Sequence, residues 1–151
     1  MELSRNEYQD NASQPHYGTL KKMTYGNGNT VENTYDDFNR VTAVHYNGEE
    51  TPRYEYAYNA KGQVAHVTHN TTDDSGAAVK VVTESEYDLS DRPIRVKEHE
   101  GSKHVYSGEL AYNDEFGVLS EFREKVGESR AEFVTTLSYD DQNRPIAMGY
   151  G

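Results

Sequence analysis

The sequence predicts an all-β chain of antiparallel β-hairpin repeats, a meander. Three observations carry this expectation. A short polar turn of one design recurs five times at nearly even intervals. Between the turns, apolar and polar residues alternate over short runs, as strands with one covered face require. No stretch shows the sustained apolar stripe of an amphipathic helix.

The five turns are Tyr35-Asp36-Asp37-Phe38-Asn39-Arg40-Val41, Tyr58-Asn59-Ala60-Lys61-Gly62-Gln63-Val64, Tyr87-Asp88-Leu89-Ser90-Asp91-Arg92-Pro93-Ile94, Asn113-Asp114-Glu115-Phe116-Gly117-Val118-Leu119 and Tyr139-Asp140-Asp141-Gln142-Asn143-Arg144-Pro145-Ile146. Subtracting first positions gives spacings of 23, 29, 26 and 26 residues. An internal period of this size marks a repeat architecture.

Residues 1–16 show no periodicity and read as a polar lead or linker, with the repeat sheet running over 17–151. Strands are expected near 23–25, 30–35, 41–46, 53–58, 64–69, 79–87, 94–99, 103–112, 119–126, 131–139 and 145–150. Tyr54, Tyr56 and Tyr58 alternate onto one face. So do Tyr106, Gly108, Leu110 and Tyr112, and Phe133, Thr135, Leu137 and Tyr139. The links, such as Asn27-Gly28-Asn29 and Asn47-Gly48, suit tight hairpins because they accept positive φ at little cost.

The turn has a readable chemistry. The Asp after Tyr can accept hydrogen bonds from backbone N–H groups just ahead of it. Gly, Asn or Asp at the fifth position suits left-handed backbone. A recurring Arg at the sixth is expected to stack on tyrosine rings or to pair with the Asp of a neighbouring turn. In the fourth copy Asn113 stands where Tyr is expected and Tyr112 comes one residue early, which implies a bulge or a shifted register.

Composition narrows function. The chain has 151 residues, with 34% hydrophobic, 11% aromatic and a mean hydropathy of -0.99. Few apolar residues with many aromatics imply an ordered sheet with a thin apolar layer. A net charge of -11 repels nucleic acid and anionic lipid. No apolar run approaches membrane-spanning length, so membrane insertion is not expected. Cysteine is absent, which removes disulfides and thiol chemistry.

Candidate chemistry is sparse. His66 and His69 fall on opposite faces of a strand, and His99 and His104 flank a turn with Glu98 or Glu100 nearby. A zinc site needs three or four converging ligands, and solvated histidines are the preferred reading. The acidic turns at Asp36-Asp37, Asp73-Asp74 and Asp140-Asp141 match no calcium loop. No motif singles out a nucleophile, a phosphate loop or a carboxylate pair. We therefore expect no catalytic residue, no metal and no cofactor. Two sequons, Asn11-Ala12-Ser13 and Asn70-Thr71-Thr72, matter only in a eukaryotic secretory setting.

The turns resemble the YD repeats of the rearrangement-hotspot (Rhs) family, through the Tyr-Asp…Asn/Asp-Arg-(Pro)-Val/Ile phrases at 35–41, 87–94 and 139–146. The phrase Met23-Thr24-Tyr25-Gly26-Asn27-Gly28-Asn29-Thr30-Val31 is similar to one that opens such repeats. The resemblance covers about 17–151. It implies a curved sheet of the YD-shell type, a β-ribbon spiralling into a hollow wall. Bacterial members enclose a C-terminal toxin, and similar shells occur in insecticidal toxin complexes and teneurins. It also implies a secreted or cell-surface location as part of a larger bacterial protein. The family's self-cleaving motif is missing, since no Asp-Pro pair occurs. Met148-Gly149-Tyr150-Gly151 echoes Met23-Thr24-Tyr25-Gly26, so the chain is expected to be a fragment of about five repeats.

Two functional readings stay open at this point. In the first, the chain is a non-catalytic segment of a shell whose parent encloses or presents a toxin or effector. The structural motif is then Tyr35, Asp36, Arg40, Tyr58, Gly62, Tyr87, Asp88, Arg92, Asp114, Gly117, Tyr139, Asp140 and Arg144. Its partners are flanking repeats or an effector domain, with edge-to-edge self-association of open strands. In the second, Tyr54, Tyr56, Tyr106 and Tyr112 form a ligand face for carbohydrate or a cell-surface protein.

Overall fold

A computed structural model describes residues 4–129 and 131–151. The described residues are all-β and form twelve strands: β1 (Ser4–Tyr8), β2 (Leu20–Tyr25), β3 (Thr30–Tyr35), β4 (Val41–Tyr46), β5 (Tyr54–Tyr58), β6 (Val64–Thr72), β7 (Ala78–Tyr87), β8 (Pro93–Glu100), β9 (Lys103–Tyr112), β10 (Leu119–Val126), β11 (Phe133–Tyr139) and β12 (Pro145–Tyr150), with antiparallel pairing of neighbours within β1 to β6 and within β7 to β12. Eleven of these fall where the alternation placed them. The twelfth, β1, lies inside the expected polar lead and pairs with β2 from Ser4↔Tyr25 to Tyr8↔Leu20. Residues 1–3 of that lead lie outside the described residues.

The chain divides into two compact units, 1–80 and 81–151. In the first, β1 to β6 lie side by side in chain order. Its registers place Met23, Val31 and Tyr46 on one face, joined by Val44, Tyr54, Tyr56, Val67 and His69. The other face carries Lys22, Glu32 and His45, then Ala43, Glu55 and Thr68. One aromatic face and one polar face is the pattern of an antiparallel sheet with unequal sides.

The second unit repeats the scheme through β7 to β12. Val96, Gly108, Leu110, Phe122, Leu137 and Met148 share its apolar face. The opposite face carries a row of alternating charge, Glu86↔Arg95↔Glu109↔Arg123. Within it, Arg95 donates to Glu86 at 3.1 Å and to Glu109 at 3.0 Å. Opposite charges on adjacent strands fix register more than they add stability at such exposed sites.

No hydrophobic side chain among the described residues is fully buried. The thin apolar layer expected from composition is therefore one layer of half-covered rings. Stability must come from the hydrogen-bond ladders, cross-strand pairs and the turns.

Candidate functional site

The candidate functional element is the recurring hairpin end. In the β3–β4 turn, Asp36 N–H donates to the Arg40 carbonyl at 2.9 Å and Asn39 N–H donates to the Asp36 carbonyl at 2.9 Å. This is a three-residue loop closed by one left-handed residue, Asn39, at φ 61°. The Asp36 carboxylate holds it together. Oδ1 accepts from the N–H groups of Phe38 (2.9 Å) and Arg40 (3.0 Å), and Oδ2 accepts from Arg40 Nε at 2.7 Å and Nη2 at 2.6 Å. Both oxygens are satisfied within five residues. The Arg40 guanidinium and these N–H groups hold the Asp36 carboxyl below its ordinary value.

Asp88 and Asp140 repeat the arrangement. Asp88 accepts from Ser90 N and Arg92 N and clamps Arg92 Nε at 2.7 Å, with Asp91 left-handed at φ 65°. Asp140 accepts from Gln142 N and Arg144 N and clamps Arg144 Nε at 2.7 Å, with Asn143 at φ 59°. Backbone N–H donation from Arg92 and from Arg144 is the leading cause holding these two carboxyls low. The arginine thus pairs with the Asp of its own turn, not with a neighbour's.

The second copy performs the same task without charge. Asn59 Oδ1 accepts from Lys61 N and Gln63 N, both at 3.0 Å, and Asn59 Nδ2 donates to Gln63 Oε1 at 2.7 Å. Asn has replaced Asp and Gln has replaced Arg together. The turn therefore requires the hydrogen-bond geometry and tolerates loss of the ion pair.

The fourth copy is corrected by the structure. Asn113 occupies the Asp position, accepting from Glu115 N at 2.8 Å and Phe116 N at 3.1 Å. The loop holds one residue more, closing from Asn113 N–H to the Val118 carbonyl. Tyr112 is the tyrosine of this copy, and Asp114 is an exposed loop residue. The opposed pairs make this plain: Tyr35↔Val41, Tyr58↔Val64, Tyr87↔Pro93 and Tyr139↔Pro145 are six residues apart, and Tyr112↔Leu119 is seven.

The tyrosines tie one hairpin to the preceding one. Tyr58 donates its hydroxyl to the Val41 carbonyl at 2.7 Å while its ring lies over the Arg40 guanidinium at 4.3 Å. Tyr112 donates to the Pro93 carbonyl at 2.7 Å and covers Arg92 at 4.3 Å. Tyr35 and Tyr139 donate to the carbonyls of Leu20 (2.6 Å) and Leu119 (2.7 Å). Gly62 and Gly117 complete the contact. Both have positive φ, and a Cβ there would stand 3.3 Å from Arg40 Nη1 and 3.0 Å from Arg92 Nη1. Arginine, tyrosine and glycine from successive turns form one stacked unit.

A sixth copy was invisible to the turn motif. Tyr8 pairs with Leu20 through the same register shift, Gln9 N–H donates to the Thr19 carbonyl, and Gly18 N–H donates to the Gln9 carbonyl. The loop between them is longer and carries His16, whose ring lies 5.9 Å from Tyr35. Subtracting positions puts Tyr8 27 residues before Tyr35, inside the range of the other intervals. That spacing was the one usable signal.

The proposed ligand-face tyrosines are packed into the sheet. Tyr54 stacks on His69 at 4.7 Å and meets Tyr46 edge-on at 6.4 Å. Burial pushes the hydroxyls of Tyr56, Tyr106 and Tyr112 above their ordinary values. The Tyr106 hydroxyl lies in the space left by Gly108, where a Cβ would be 2.8 Å away. His99 and His104 do oppose each other, but the His104 ring bonds the Gly127 carbonyl at 2.7 Å. Among the described residues no group of three or more His, Asp or Glu is placed to hold a metal. Asn70 of the second sequon donates to the Pro52 carbonyl and to Glu55, so its amide is engaged.

No protein-family model matches this chain, and no curated protein matches it. Solved structures do share its fold. Crystal structures of TcdB2-TccC3-TEV and of TcdB2-TccC3-Cdc42 each superpose on 87% of this chain with a TM-score of 0.70 at 21% identity. The chain spans 6% of the length of those solved chains.

Proposed function

We propose that this chain is a structural, non-catalytic wall segment of YD-repeat type, from a parent protein that encloses or presents a toxin or effector. The observation that carries the reading is the coupling between successive hairpins. Tyr35, Tyr58, Tyr112 and Tyr139 each donate a hydroxyl to the preceding hairpin's backbone, and the covered guanidinium groups of Arg40 and Arg92 are held by their own aspartates. These groups are used up in joining repeats, which is what a continuous wall needs and what an active site cannot afford. The fold likeness to parts of TcdB2-TccC3 supports the same reading, as do the bonded carboxylates of Asp36, Asp88 and Asp140. No described helix is long and apolar enough to cross a membrane. A secreted or surface location within a larger bacterial protein fits the family resemblance.

The coding sequence on either side of this segment tests the parent. Further Tyr-Asp hairpins followed by an unrelated domain support a wall around an effector, and their absence on both sides refutes it. A glycan array with the purified chain tests the ligand-face alternative. A wall segment gives no saturable binding, whereas binding abolished by Tyr54→Ala would replace this reading.

A further inference from the structure

The residue that closes each turn with positive φ differs between copies. Asn39, Asp91 and Asn143 hold it at φ 61°, 65° and 59°, and Gly62 and Gly117 hold it at 86° and 68°. Asparagine and aspartate accept left-handed backbone. Gly117 lies close to the φ of Asp91, so conformation alone does not call for glycine there.

The preceding hairpin does call for it. Asp36 Oδ2 fixes Arg40 through Nε at 2.7 Å and Nη2 at 2.6 Å, and the Tyr58 ring covers the guanidinium at 4.3 Å. Nη1 lies against Gly62, where a Cβ would stand 3.3 Å away. Arg92 is fixed in the same way by Asp88 and Tyr112, and a Cβ on Gly117 would stand 3.0 Å from its Nη1. A loose arginine end would swing aside from an added side chain. One held by both its aspartate and a ring cannot move without giving up one of them.

Where arginine is absent, a side chain takes the room. Thr19 stands at the arginine position of the first hairpin, and His16 of the same loop reaches the next turn. Its Nδ1 meets Asn39 Oδ1 at 3.0 Å. In chain order the five successions are Thr19 then Asn39, Arg40 then Gly62, Gln63 then Asp91, Arg92 then Gly117, and Val118 then Asn143. Both arginines precede glycine, and the other three residues precede Asn or Asp.

We propose that these two positions form a matched pair that decides which hairpin can follow which. The end of an arginine turn is an interaction surface whose partner is a glycine turn. The end of a turn without arginine accepts Asn or Asp. The left-handed residue thus selects its neighbour as well as shaping its own loop. This pairing goes beyond the wall reading and holds whether or not the chain belongs to a wall.

Asparagine substitution of glycines tests it, read as the urea midpoint of the full 151-residue chain. Gly28, at φ 87°, has open space around it and matches Gly62 in conformation, and Gly48, at 72°, does the same for Gly117. Gly62→Asn and Gly117→Asn should each lower the midpoint well below that of the matched control, Gly28→Asn or Gly48→Asn. Beside Arg40→Gln the effect of Gly62→Asn should shrink or reverse, and Gly117→Asn should behave likewise beside Arg92→Gln. An effect no larger than the control's, or one undiminished when the arginine is replaced, overturns the pairing. If Gly117→Asn prevents folding, a folded circular dichroism spectrum for Arg92→Gln with Gly117→Asn supports the pairing, and an unfolded one overturns it.

Discussion

Removing the Tyr112 ring tests whether the stack between turns carries the load assigned to it. Truncating a fully buried aromatic to Ala costs ~3–5 kcal/mol. Tyr112 is half-covered, so about half of that, ~1.5–2.5 kcal/mol, is the packing share. Its hydroxyl bond to the Pro93 carbonyl, 2.7 Å and solvent-accessible, adds about 0.5–1 kcal/mol. The guanidinium of Arg92 at 4.3 Å adds about 0.5–1 kcal/mol. Tyr112→Ala should therefore destabilise the fold by about 3 kcal/mol, and Tyr112→Phe by only about 0.5–1 kcal/mol. Arg92→Gln isolates the ring contact, since Gln63 shows that Gln supports a turn at this position. In a double-mutant cycle the coupling between Tyr112→Ala and Arg92→Gln should be about 0.5–1 kcal/mol. Urea unfolding followed by circular dichroism measures it, with the slope unchanged across the set. A loss below about 0.5 kcal/mol for Tyr112→Ala, or strict additivity in the cycle, would refute the stack as a stabilising unit.

The remaining predictions concern the turns and the close approaches. The carboxyls of Asp36, Asp88 and Asp140 are lowered from 3.8, so the stability they add is present above that pH and is lost as pH falls through their folded values. Acid titration of the unfolding midpoint should show this limb, and Asp→Asn at all three positions should flatten it. Asp140→Asn alone turns amide donors toward Arg144 donors, whereas Asp140→Asn with Arg144→Gln recreates the Asn59–Gln63 pair. The double variant should unfold at higher urea than the single one, and the reverse order would mean that charge, not geometry, sustains the turn. Gly108→Ala drives a Cβ to 2.8 Å from the Tyr106 hydroxyl and 3.0 Å from the Phe122 ring. It should cost ~1–3 kcal/mol through overpacking, while Gly101→Ala, with open space around it, should lack that clash. Tyr139→Ala should cost less than Tyr112→Ala in the same urea series, because Val118 stands where an arginine would lie beneath the ring.

Much of this architecture is local and was therefore readable in the sequence. Strand alternation has period two and needs only neighbours to be seen, so eleven strands emerged from Tyr, Val and Thr spacing. The turn residues also act within five positions, which is why the Asp and the left-handed fifth residue could be assigned from Asp36 and Asn39 alone, whereas the ion pair of Arg40 with the Asp of its own turn was not read. Where the loop length changed, pattern matching failed. One inserted residue shifted the fourth copy, so that Asp114 reads as the turn Asp and Tyr112 as a ligand-face residue, and an eleven-residue loop (9–19) hid the copy at Tyr8.

What the sequence determined by itself was the repeat, its hairpins and the Asp-to-backbone bonds inside the turns, since those interactions close over a few residues of chain. Tertiary structure alone decided which guanidinium lies beneath which ring. The Arg40–Tyr58 and Arg92–Tyr112 contacts span 18 and 20 residues by subtraction, and they form only once strand register brings one turn beside the next. Register is a property of paired backbones, fixed by ladders and bulges, and no single strand encodes it.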